Sequence, residues 1–206
     1  MCKTSLIIIA LIIMAFSTSG AHGQSNNLKH GTIGYFIQAA IEKAREKKYE
    51  EAIDIVDSAI AIDTNNENVY QVKAEFLWMK EDYFQAAVNY QKAMSLDKDS
   101  SFLRGAYLQL GVLYEKAGYL EEAQSNYIKA IYLFENVKRE NDRFFEYPNR
   151  IDYATVLILS GNDKKWNQLM ADPIFSTLPY STLREKYNGK TRTEILEIYW
   201  EPFKGN

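Results

Sequence analysis

The sequence predicts an all-α protein, an α-solenoid of stacked antiparallel helix pairs with a C-terminal helical cap. Three observations predict it. Residues of matching size recur in register at a spacing of 34 and then 37 residues. No proline interrupts residues 1–147, so that stretch is free to be helical. Within each copy, larger apolar residues fall at three- and four-residue intervals, the spacing that sets side chains on one helix face.

Taken in order, the first residues read as targeting and not as fold. Lys3 gives a positive start, Leu6 to Phe16 is apolar, and Ser17, Thr18, Ser19 and Gly20 are small. A helix over this run would reach only ~16 Å of the ~30 Å hydrocarbon core, so a cleaved secretory signal over 1–23 is expected, with an uncleaved membrane tether as the alternative. Ala21-His22-Gly23 offers small residues at the two positions a signal peptidase reads. The expected location is therefore periplasmic or extracellular. Cys2, the only cysteine, precedes the apolar run, which excludes a lipoprotein signal and leaves a mature chain without disulfides or thiolate ligands. Residues 24–32 form a polar lead-in. Loss of Lys3 takes the formal charge from −3 to −4, a balance that argues against nucleic acid, since phosphate binding needs a concentrated basic face.

The repeats follow, around Tyr49, Tyr83 and Tyr119, with boundaries expected at 33–66, 67–100 and 104–137. Ala40, Ala74 and Gly111 correspond on the first helices. Ala52, Ala86 and Ala123 correspond on the second, as do Val56, Tyr90 and Tyr127, then Ala59, Ala93 and Ala130. Small residues at those places let paired axes approach toward ~8 Å, while Tyr90, Tyr107, Leu110, Tyr114 and Tyr127 fill the space beside them. Lys47-Lys48, Glu81-Asp82 and Gly118 mark the turns inside each pair. Glu50-Glu51 and Glu121-Glu122 open second helices, where carboxylates meet the positive end of the helix dipole. Asp63 to Asn66 and Asp97 to Ser100 close them with residues that leave helical geometry readily. The three extra residues before the third copy fit a longer turn near Ser100 to Leu103.

These residues resemble the tetratricopeptide repeat family, most closely in the third copy through Tyr107, Leu110-Gly111, Tyr114, Gly118, Ala123, Tyr127 and Ala130. Phe36 and Tyr70 stand where the family often has Trp, and Thr64 and Lys98 where it closes the unit with proline. The resemblance covers about Ile33 to Phe134. It implies a right-handed superhelix whose first helices line a concave groove. Beyond it, Tyr153-Ala154, Leu157 and Gly161 suggest a degenerate fourth copy over 147–171, with Trp166 at the alanine place. The run Lys138 to Arg143 reads as a solvated helix extension, or else as a charged loop. Residues 172–206 are expected to form capping helices with start signals at Thr182/Glu185 and Thr191/Glu194. Their apolar face, Ile195, Leu196, Ile198, Tyr199 and Trp200, caps the stack, or else Tyr199, Trp200 and Phe203 fold back into the groove or form a dimer surface.

No catalytic constellation stands out. His30 is the only histidine left after signal removal, and neither a phosphate-cradling glycine loop nor a His-Glu-x-x-His pattern occurs, so neither an enzyme nor a metal or cofactor site is expected. The groove positions implied by the resemblance are Ile37, Ile41, Gln71, Glu75, Trp78, Leu108, Val112, Glu115, Ile151 and Thr155. The family's clamp for a terminal carboxylate is not expected, because Ile37, Ile41, Val72, Gly105 and Gln109 stand where its Lys, Asn and Arg would be. Trp78 is either an interface anchor or a core residue. The implied partner is a protein or peptide segment, with no nucleic acid, no membrane span after cleavage and no predicted oligomer. The alternative is an adaptor or immunity-type inhibitor dedicated to one secreted protein.

Overall fold

The computed structural model describes residues 31–97, 103–140, 147–177, 181, 185, 187 and 189–200. The expected signal segment, most of the lead-in, Thr182 and the run 141–143 lie outside these residues. Every regular element among the described residues is helical. The chain divides into two compact units, Met1–Leu96 with Trp200–Asn206, and Asp97–Tyr199. The division falls where the repeat spacing lengthens from 34 to 37 residues.

The first unit contains α1 (Ile33–Arg45), α2 (Tyr49–Ile62), α3 (Glu67–Met79) and α4 (Tyr83–Leu96). Thr32 starts α1 by accepting from the Tyr35 backbone N–H at 3.3 Å. α1 packs on α2 and α3 on α4, while α3 also lies against α2 and beside α1, so the second pair repeats the first. The small residues sit at the contacts: Ala40, Ala52, Ala59 and Ala86 have no exposed surface and Ala74 has 2%. Any longer side chain there would overpack the pair, at a cost of ~1–3 kcal/mol. After α2 the chain leaves helical geometry in a turn closed by Asp63, whose carboxylate accepts from the Asn65 N–H at 2.9 Å.

The second unit contains α5 (Leu103–Lys116), α6 (Leu120–Glu140), α7 (Tyr147–Leu159), α8 (Asp163–Met170), a 3-10 turn (Pro173–Ser176) and, as far as Tyr199, α9 (Arg192–Trp200). α5 packs on α6 and α7 on α8, with α7 against α6 and beside α5. The helix carrying Lys138, Arg139 and Glu140 is thus continuous with α6. Pro148 falls in the first turn of α7, where its missing N–H has no helical partner to lose. Ala154, matching Gly111, is wholly buried. Trp166, at the alanine place, is only half-buried, and α8 ends after eight residues.

All four helix pairs turn in the same way. Lys47, Glu81, Gly118 and Gly161, each seven residues after its small first-helix residue, hold φ of 60°, 67°, 85° and 72°. The next N–H bonds back five residues, from Lys48 to Lys43, Asp82 to Leu77, Tyr119 to Tyr114 and Asn162 to Leu157, at 2.8 to 3.0 Å. These bonds satisfy carbonyls that the helix end leaves open, and the left-handed residue reverses the chain in minimal length. A non-glycine residue in this conformation costs about 1–2 kcal/mol, so the turns at Lys47 and Glu81 are strained where those at Gly118 and Gly161 are not.

Candidate functional site

In the second unit the site begins with a glycine. A Cβ on Gly111 would lie 2.3 Å from Tyr127 Cε1 and 2.4 Å from its Cδ1, so only glycine lets the Tyr127 ring cross α5. The ring is fully buried, and its hydroxyl donates to Glu115 Oε2 at 2.7 Å. Burial, and after it the charge and hydrogen bond of Glu115, push the phenol far above its ordinary value, so Tyr127 remains a donor at every accessible pH. The repeat architecture thereby fixes one carboxylate on the first-helix face of α5.

That face is occupied by the chain's own tail. Arg192 Nη2 donates to Glu115 Oε2 at 3.0 Å. Lys116, the next residue, pairs with Glu197 of α9. On α7, Thr155 Oγ1 and Tyr187 Oη share a hydrogen bond at 3.0 Å, while the Thr155 hydroxyl also donates to the Ile151 carbonyl at 2.8 Å. The threonine thus gives its proton to Ile151 and receives the phenol proton of Tyr187. Burial raises the Tyr187 phenol, and the nearby Asp152 carboxylate adds to that rise. α9 itself starts with the expected reciprocal cap. The Glu194 N–H bonds to Thr191 Oγ1 at 3.3 Å, and the Thr191 N–H bonds to Glu194 Oε2 at 2.8 Å. Ile195 and Leu196 are its buried residues.

Asp152, one turn before Thr155, is half-buried, and burial alone raises its carboxyl to about 6. No cation among the described residues offsets that rise. Between the tail neck and the α7–α8 pair lies a cavity of about 370 Å³, whose walls include Tyr187, Gly189 and Arg192 on one side and Ile158 and Trp166 on the other.

In the first unit, the corresponding face carries Ile37 and Ile41 on α1 and Gln71, Glu75 and Trp78 on α3. Glu75 is half-buried and hydrogen-bonded by Gln71; burial lifts its carboxyl to about 7 against the smaller lowering by that bond.

The ten groove positions therefore divide. Ile41, Gln71, Glu75, Glu115 and Ile151 keep partial exposure. Ile37, Trp78, Leu108, Val112 and Thr155 do not, at 5%, 5%, 0%, 0% and 0%. The expectation of an open surface is corrected at those five. Trp78 is packed as core and is no open anchor, and Thr155 is shut in with Tyr187. Asp152, Tyr187 and Arg192 were missed by the sequence reading. Asp152 lies between two named positions on α7 and was within reach of the same helical spacing, whereas nothing local marks Arg192 as the partner of a residue 77 positions earlier.

Paired helices, repeated small-residue contacts and four equivalent left-handed turns together define the architecture. The fold is tetratricopeptide-repeat-like. No family model matches the sequence. The chain is 24% identical to human Tetratricopeptide repeat protein 16 over 148 residues, which is 65% of this chain and 17% of that protein. It thus spans under a fifth of that protein's length. Among solved structures it is similar to MamA at 15% identity, covering 77% of this chain and 80% of that one with a TM-score of 0.49. It is also similar to YrrB, described as a TPR protein with an unusual peptide-binding site, at 18% identity, covering 81% and 84% with a TM-score of 0.48. Among the described residues, no helix is long and apolar enough to cross a membrane.

Proposed function

We propose that this chain is a non-catalytic interaction module that receives a peptide or protein segment on the first-helix faces of its repeats. One observation carries the reading: α5 and α7 already hold a polypeptide segment, residues 187–199, through side-chain pairs at Glu115, Lys116 and Thr155. Helical repeats present first helices as an extended surface, and the half-buried Glu75 and Glu115 give that surface directed acceptors. In the first unit, Ile41, Gln71 and Glu75 are the contacts we assign to a partner.

The apolar segment Leu6–Phe16 supports export of the mature chain through a cleaved signal, with the periplasm or the extracellular space as the place of action. N-terminal sequencing of the protein recovered from the exported fraction tests this, a start near residue 24 being expected and an intact Met1 in the membrane fraction refuting it. Affinity capture from that same fraction, with the mature chain and with Gln71→Ala and Glu75→Ala, tests the binding role. Partners held by the unaltered chain and lost from the folded variants are expected. Equal recovery by all three refutes this site.

A further inference from the structure

We propose that the α5–α7 face takes a basic peptide whose arginine replaces Arg192 on Glu115, the chain's own residues 187–199 being the resident competitor. The inference rests on the interaction-module reading above and names the chemistry of the partner.

Three observations carry it. First, the acceptor is prepared for a guanidinium. Glu115 is held by Tyr127, its side chain is only 11% exposed, and Arg192 already meets it; the arginine, at 45%, lies at the rim and can leave without unpacking a core. Second, the face carries more negative charge than the tail satisfies. Asp152 stands beside Tyr187, burial disfavours its ionised form, and no cation among the described residues answers it. An incoming segment with a second Lys or Arg would give that carboxylate the counter-charge that the tail does not. Third, the tail is poorly seated. α9 has nine residues, below the ~12–15 at which isolated helices are even marginal, so it depends on docking. Its neck is anchored through Tyr187, on Thr155 and beside Trp166, and the rest borders a cavity of about 370 Å³. Such a segment opens more readily than the repeats beneath it.

The face is therefore closed in cis and opened by competition. A partner needs an arginine for Glu115, a second basic residue for Asp152, and apolar residues in place of the buried Ile195 and Leu196. The apparent affinity of such a partner is its intrinsic affinity multiplied by the fraction of molecules in which the tail is displaced.

The test uses the mature full-length chain and three synthetic 15-residue peptides: residues 185–199 of this protein, the same peptide with Arg192→Glu, and the same peptide with Arg192→Gln. Binding is read by calorimetry, and tail docking by hydrogen exchange at residues 192–199. Weak binding of the native-sequence peptide to the unaltered chain is expected. Arg192→Ala in the chain should deprotect α9 and tighten that binding by about tenfold or more, since a charge-assisted bond holding the tail is lost. The Glu peptide should not bind, and the Gln peptide should bind at least about tenfold more weakly than the native sequence. If Arg192→Ala leaves α9 protected and the peptide unbound, the tail is a permanent cap and the proposal falls. If the opened chain takes all three peptides equally, the basic preference falls while the interaction-module reading stands. Should Arg192→Ala lose helical structure, Tyr187→Phe, which removes only the hydroxyl on Thr155, serves as the second opening variant under the same criteria.

Discussion

Gly111 and Gly105 lie six residues apart on α5, and the packing around them predicts opposite consequences of one added methyl group. On Gly111 a Cβ meets the Tyr127 ring at 2.3, 2.4 and 3.0 Å, distances at which the ring must move. The ring is fully buried, so it has little room to yield, and overpacking of this kind costs ~1–3 kcal/mol. Moving it also pulls the hydroxyl away from Glu115, a bond to a charged acceptor worth ~1.5–3 kcal/mol. Against this, alanine gains ~1 kcal/mol of helix propensity over glycine. The net expectation for Gly111→Ala is a loss of ~1.5–5 kcal/mol. On Gly105 the nearest atom to the same methyl is Asp152 Oδ2 at 3.9 Å, an ordinary contact, so Gly105→Ala should gain ~0.5–1 kcal/mol. Urea unfolding followed by circular dichroism measures both, with the denaturant slope checked for constancy. If the two variants shift the midpoint in the same direction, or if Gly111→Ala stabilises the chain, the argument from close approach at Gly111 is wrong.

Three further outcomes are expected. Lys47→Gly and Glu81→Gly relieve a left-handed residue in the first unit, and each should raise stability by ~0.5–1 kcal/mol in the same unfolding assay, glycine's own flexibility offsetting part of the relief. Glu75 has its carboxyl raised from 4.5 to about 7, so the folded chain holds that proton where the unfolded chain releases it. The stability this provides is complete below pH ~4.5 and is lost as pH rises through ~7; Glu75→Gln should therefore match the unaltered chain near pH 4.5 and exceed it by up to ~3 kcal/mol at pH 8. A pH-independent difference between the two would refute the assignment. Thr191→Ala removes one half of the reciprocal cap of α9 and should cost ~0.5–2 kcal/mol of local stability, seen as faster hydrogen exchange over residues 192–199 with little change in α5.

The helix pairs were legible because the contacts that make them are local in kind and periodic in position. Ala40, Ala74 and Gly111 are small for the same reason, and the reason repeats. The turn residues were legible as places but not as geometry: Lys47 and Glu81 carry no glycine signal for the left-handed conformation that Gly118 and Gly161 advertise. On the first-helix faces, helical spacing found which residues point alike but not what lies over them. Leu108, Val112 and Thr155 are all buried, Thr155 against Tyr187 of the tail, and the tail's hold is made by single long-range pairs. Arg192 with Glu115, and Tyr187 with Thr155, have no spacing rule to reveal them. Asp152 escaped for a different reason, since an acidic residue on an amphipathic helix ordinarily faces water.

Trp166 stands where an alanine would let another helix nestle, and its ring lies 6.1 Å from that of Tyr187 in the tail neck. It lines the wall of the cavity beside that neck. The molecule consequently carries a built-in optical gauge of its own latch. A shift of its indole emission to longer wavelength would register the neck lifting away, with no label attached.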